Sequence, residues 1–141
     1  MEGYFDVLSL NQLGYSNSAS PSGTALTIQQ LDAVSRYTNK ILLSFDNDEA
    51  GLKATERVLE IKNQVSNQLE IHCLNLPEKY KDISELYEDD EDIFSSVLKD
   101  NHEIIEFLID KFIVSTSDKK SIFNYFMKIL LTLAHLKLMS R

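Results

Sequence analysis

The run from Ile41 to Gly51 constrains this chain more than any other segment. Five residues, Ile41 to Phe45, form a short apolar stretch that ends in Asp46 and Asp48, and Gly51 and a long helical pattern follow. A run of that length bounded by turn residues reads as a buried strand. The unit is then strand, acidic loop and helix, and open α/β sheets place their ligand crevices at the carboxyl ends of such strands. In extended backbone, positions i and i+2 point to one side, so Asp46 and Asp48 converge. Two neighbouring carboxylates repel unless a cation lies between them. Magnesium takes oxygen ligands, commonly one or two carboxylates plus substrate phosphates. The segment therefore reads as a metal-assisted phosphoryl-transfer site. The plainer reading is a turn and a helix N-cap, both of which favour Asp.

Two other uses of paired aspartates fit poorly. An EF-hand loop needs an oxygen ligand where Ala50 stands and a closing Glu where Arg57 stands. A haloacid-dehalogenase-like phosphatase needs its aspartate pair near the start of the chain and further catalytic groups downstream.

With 141 residues the chain is long enough for an ordinary domain with a real core. Its formal charge is −8, so it does not hold nucleic acid by overall charge. The charge is uneven: Glu78–Asp92 carries eight acids against two lysines, and Lys111–Arg141 carries six bases against one acid. Both runs also read as ordinary solvated faces. Cys73 is the single cysteine, which excludes an internal disulfide and a Cys-based zinc site. No apolar run approaches a membrane span. The expectation is a cytoplasmic protein with no membrane partner.

Along the chain, residues 6–13 read as a helix stopped by Gly14, and Ser16–Ser20 as a weak strand. Pro21, Ser22 and Gly23 signal a turn. Thr27 and Gln30 fit a capping box, opening a helix with Ile28, Leu31 and Val34 inward. Lys40–Phe45 and Leu69–Leu76 read as strands. Between them lies a helix with the stripe Ala54, Val58, Ile61 and Val65. This alternation implies a mostly parallel sheet flanked by helices. Residues 82–87, 92–98, 103–113 and 118–139 read as helices. The last carries the stripe Ile122, Phe126, Ile129, Leu133 and Leu136, widened by Phe123 and Leu130. A boundary near Asp100 and Asn101 divides an α/β domain (1–100) from a small all-helical subdomain (101–141).

Four motifs occur in order: Glu2 to Val7, Ala19 to Thr27, Phe45 to Gly51, and Leu76-Pro77 with Lys81-Asp82. Together they resemble the Toprim domain of bacterial-type DNA primase. The segment from Ile104 to Arg141 is similar to the helical part of that enzyme's catalytic core. The resemblance implies a Toprim-type sheet and nucleotidyl transfer from nucleoside triphosphates to a primer on a single-stranded DNA template. It implies Glu2, Asp46 and Asp48 as catalytic metal ligands for Mg2+ or Mn2+, with Asp6 and Asp82 lining the same site. Lys53, just past Gly51, is a candidate nucleotide contact, although a surface helix lysine is its ordinary role. A replicative helicase is an implied partner, and zinc is not bound by this chain.

The chain also departs from the family. The acid that the family carries two positions after the one matching Asp82 is Ser84 here. The family's zinc-binding and basic subdomains have no counterpart, and only Met1 precedes Glu2. These departures imply a fragment of a longer primase or a truncated gene, with weak or no primer synthesis by itself. Two other readings stay open: a catalytically inactive Toprim module that docks a partner, and a small Toprim nuclease. His72, His102 and His135 read as structural or exposed, without ligand spacing, and Cys73 as core.

Overall fold

A computed structural model describes the chain except Glu2, Asp90, Ser140 and Arg141, and except the side chains of Glu91, Asp92 and residues 135–139. The expectations for Glu2 and for Leu136 as a stripe residue therefore lie outside the described residues. In chain order the elements are α1 (Tyr4–Gln12), α2 (Ile28–Ser35), β1 (Lys40–Leu43), α3 (Glu49–Ile61), β2 (Glu70–Leu74), α4 (Ile83–Asp89), α5 (Glu91–Lys99), β3 (Asn101–Glu103), α6 (Ile104–Ser115) and α7 (Lys119–Met139). The described strands form one mixed sheet in the order β1-β2-β3. β1 and β2 are parallel, with Ile41 opposite Ile71 and Leu43 opposite Cys73. β2 and β3 are antiparallel, with Cys73 opposite His102.

Local signals set several of these boundaries. Gly14, at φ +88°, follows α1 in the left-handed conformation that glycine adopts without strain. Thr27 caps α2: its hydroxyl accepts from the Gln30 N–H at 3.2 Å, and the Gln30 side chain accepts from the Thr27 N–H at 2.9 Å. β2 buries both faces, as its period of two requires in a layered fold. Ile71 and Cys73 join a core with Leu31, Leu43, Val58 and Leu108. Leu74 joins a second core with Leu10, Ile83, Leu86 and Phe94. Burial pushes the Cys73 thiol up to about 12, so it stays protonated and apolar in the core.

Five expectations are corrected. Ser16–Ser20 forms no strand; Ser18 instead donates to the Tyr15 carbonyl at 3.2 Å, a local turn contact. The third strand is β3, a polar three-residue segment with no apolar alternation to announce it. On α2, Val34 faces out and Ser35 is buried, where the Asn67 side chain donates to the Ser35 hydroxyl at 3.1 Å. On α3 the fully buried face is Gly51, Thr55, Val58 and Leu59, while Ala54 and Ile61 are only partly covered and Val65, also partly covered, lies beyond the end of the helix. On α7, Ile129 is buried and Phe123, Phe126 and Leu130 are exposed, so the apolar stripe is wider than the core it meets. Among the described residues no helix is long and apolar enough to cross a membrane.

Candidate active site

β1 ends at Leu43, so Asp46 and Asp48 sit in the loop beyond it and the strand pleat does not set their relation. A set of backbone contacts does. Asp48 is the N-cap of α3, and its Oδ1 accepts from the Gly51 N–H at 2.9 Å. Gly51 lies against the start of the same loop: a Cβ placed on it would be 1.9 Å from the Asp46 carbonyl oxygen. Asn47 ties the loop to the segment after β2. Its N–H donates to the Lys81 carbonyl at 2.7 Å, and its side-chain amide reaches the Tyr80 carbonyl at 3.3 Å. The acidic loop is therefore clamped on both sides, and its residues line a cleft of about 530 Å³. One wall is acidic, with Asp46, Asp48 and Glu49, and the other is Phe107, Lys111, Phe112 and Tyr125 from α6 and α7. Phe112 and Tyr125 stack at 4.0 Å between centroids, and the Tyr125 hydroxyl donates to Glu56 at 2.7 Å. Burial and the Glu56 carboxylate hold that phenol protonated, well above its ordinary value.

The other acids singled out in the sequence lie near this loop with different partners. Asp6 is buried; its Oδ2 accepts from the Gly3 N–H at 3.2 Å. Its Oδ1 accepts from the N–H and hydroxyl of Ser84, at 3.2 and 3.1 Å. Ser84, at the position where an acid was expected, is thus the group that satisfies Asp6. Asp82 Oδ1 accepts from the Glu85 N–H at 2.9 Å, and the Glu85 carboxylate reaches back to the Lys81 N–H at 2.7 Å. Lys53 pairs with Glu49 at 2.6 Å on an exposed part of α3, and each holds the other's charge. Asp6→Ala is expected to cost about 1–3 kcal/mol, because it strips buried N–H and hydroxyl donors of their acceptor. Urea unfolding of the variant measures it, and an unchanged midpoint would show that Asp6 holds nothing together.

Two lysines at the site were given no site role by the sequence, although Lys81 stands in one of the four ordered motifs. Lys81 Nζ lies 2.9 Å from Asp46 Oδ2. That carboxylate raises the ammonium's pKa, and Asp48 and Asp82 add to the effect. Lys111, on α6, donates to Asn47 Oδ1 at 3.2 Å. Among the described residues one group places three ligand atoms within 4.8 Å of one another: His102, Glu106 and Asp110. Its i, i+4, i+8 spacing was readable in the sequence, which corrects the view that His102 lacks ligand spacing. The His102 ring also lies 3.2 Å from an Asp100 carboxylate oxygen, one more contact in a surface cluster of a kind common without an ion. Asp6, Asp46, Asp48 and Asp82 do not draw together into such a group.

The loop nonetheless suits a hard divalent cation. Asp46 and Asp48 supply oxygen only, and with Oδ1 of Asp48 engaged by Gly51 the second oxygen of that carboxylate keeps its lone pairs for a metal. Oxygen donors beside two ammonium groups fit a cation that arrives with phosphate, and they lack the His and Cys donors that zinc favours.

A family model described as Toprim-like matches residues 1–87. The DNA primase of Synechococcus elongatus is 43% identical over 81 residues, covering 55% of this chain and 12% of that protein. The DNA primase of Aquifex aeolicus is 31% identical over 127 residues, covering 90% of this chain and 25% of that protein. The chain thus spans a quarter or less of the length of these relatives. A DNA primase domain from Pseudomonas aeruginosa has the same fold, with a TM-score of 0.67 and 29% identity over 82% of this chain and 37% of that one. A DnaG primase catalytic domain solved with single-stranded DNA superposes at a TM-score of 0.68 with 21% identity over 93% of this chain and 43% of that one, a likeness of fold. Toprim domains bind divalent metals. The mixed sheet, the acidic loop at its edge and the match over residues 1–87 make this chain a member of the Toprim-like family.

Proposed function

We propose that this chain is the metal-binding part of a DNA primase, which synthesises short RNA primers on single-stranded DNA during replication by magnesium-dependent nucleotidyl transfer. The observation that carries this reading is the clamped acidic loop, with Asp46 and Asp48 on one wall of a cleft large enough for a nucleotide. In this reading Glu2, Asp46 and Asp48 are the catalytic acids and hold Mg2+ or Mn2+. Asp6 and Asp82 belong to the same metal-binding set; both carboxylates also fix backbone N–H groups, and a metal contact by either would use a remaining lone pair. Lys53 stands at the rim of the cleft as a nucleotide contact. A bound divalent ion supplies charge neutralisation and alignment for in-line displacement. The protein's part is to hold the carboxylates in place and to set Phe107, Phe112 and Tyr125 on the opposite wall, where they limit water.

The similarity to primases over 90% of this chain supports the reading. Nucleoside triphosphates, a single-stranded DNA template and a replicative helicase are its proposed partners. We also propose the division into residues 1–100 and 101–141, as one of sequence character: the Toprim-like match lies wholly in the first part. A docking module is the second reading, favoured by the exposed apolar side chains Phe123, Phe126, Leu130 and Leu131 of α7.

Calorimetric titration with Mg2+ and Mn2+ tests the proposal. Saturable binding by the unmodified chain, reduced at least about tenfold in Asp46→Asn/Asp48→Asn, is the expected result. Absence of binding by a folded chain would refute the metal site and leave the docking reading.

A further inference from the structure

Two ammonium groups bracket the acidic loop, and they come from different parts of the chain. Lys81, between β2 and α4, reaches Asp46 at 2.9 Å. Lys111, on α6, reaches Asn47 at 3.2 Å from across the cleft. Neither placement is loose. The Lys81 carbonyl accepts the Asn47 N–H and the Lys81 N–H donates to Glu85, so its backbone is bound to the loop it faces. The Lys111 ammonium lies 5.5 Å from the centre of the Phe107 ring, whose face favours a cation.

A site that held only a divalent cation would be weakened by resident ammonium groups, because like charges repel and Lys81 occupies an oxygen of Asp46. The arrangement becomes favourable when the ligand brings its own negative charge. Phosphate oxygens can then replace Asp46 and Asn47 as acceptors for the two ammonium groups, while the cation takes the released carboxylate. We infer that Lys81 and Lys111 are the phosphate-binding groups of this site, turning from the acidic loop onto the polyphosphate of a metal-bound ligand. The inference rests on the metal-site reading above and adds residues that reading does not include.

The two lysines give bare metal and metal–polyphosphate opposite dependences. Calorimetry with Mn2+ alone, and with Mg2+ and inorganic tripolyphosphate together, reads both in the same chain. Lys81→Gln is expected to bind Mn2+ about threefold tighter or more, because a competing cation is gone. It is expected to bind Mg2+-tripolyphosphate about tenfold weaker, the effect of one lost charge-assisted hydrogen bond. Lys111→Gln is expected to leave Mn2+ affinity within about twofold, since its acceptor is a neutral amide, and to weaken the tripolyphosphate complex about tenfold. Lys81→Arg and Lys111→Arg keep the charge and are expected to restore most of the polyphosphate affinity. Lys40→Gln, the same charge change at the exposed start of β1, is expected to alter neither. Weaker binding of both ligands in Lys81→Gln and Lys111→Gln, with a lowered thermal midpoint, would make the lysines purely structural and overturn the inference. So would normal Mn2+ binding with unchanged tripolyphosphate affinity. A lack of Mn2+ binding by the unmodified chain would instead overturn the metal-site reading itself.

Discussion

Gly51→Ala is expected to lower the thermal midpoint by on the order of 10 °C and to weaken metal binding in the chains that remain folded. The added Cβ would fall 1.9 Å from the Asp46 carbonyl oxygen and 2.9 Å from its carbon. Both are backbone atoms, which no rotamer change can move aside. Either α3 shifts away from the loop or the loop opens. The first disturbs the buried contacts of Thr55, Val58 and Leu59, and the second disturbs Asp46 itself. Overpacking of this kind costs about 3 kcal/mol or more where the surroundings cannot yield, which is roughly 10 °C for a domain of this size. Calorimetric unfolding gives the midpoint, and a Mn2+ titration gives the site. A variant that melts and binds metal like the unmodified chain would show that the close approach of α3 to the acidic loop is dispensable.

Leu108→Ala is expected to cost about 2–5 kcal/mol, the range for removing a fully buried leucine that leaves a cavity. Leu108 lies on α6 with no exposed surface, in one core with Leu31, Leu43, Val58 and Ile71. Ile104 and Ile129 join the same core from α6 and α7. The loss is therefore expected to shift one cooperative transition as a whole, seen equally by circular dichroism and by tyrosine fluorescence. Leu131→Ala, at a residue that is 64% exposed, is expected to stay within about 0.5 kcal/mol. Two separated transitions in Leu108→Ala, with the upper one unmoved, would mean that α6 and α7 melt independently of the sheet.

The acidic loop was legible because its signals are local. An apolar run, an N-cap aspartate and a glycine followed by helical periodicity need no distant partner to be read. The Thr27–Gln30 capping box was legible for the same reason. The segment at Ser16–Ser20 misled because serines suit a strand only where a neighbouring strand supplies hydrogen bonds, and here their hydroxyls turn back on the local backbone. β3 was invisible for the converse reason. Asn101–Glu103 is polar and short, and it becomes a strand because β2 offers it an edge. The inward face of α3 was misjudged by the stripe through Ala54. The helix turns its glycine toward the Asp46 backbone, a close approach that hydropathy does not encode.

The sequence by itself determined the strand–loop–helix unit, the all-oxygen chemistry of Asp46 and Asp48, and the family to which their order points. These follow from residue type and spacing along a few turns of chain. Only the tertiary structure decided that Ser84 serves Asp6, that Asn47 pins the loop to residues 76–81, and that Lys81 and Lys111 bracket it. Those pairings join residues 29 to 78 positions apart or sit on opposite walls of a cleft. Their chemistry depends on which elements pack together, and packing is a property of the whole core.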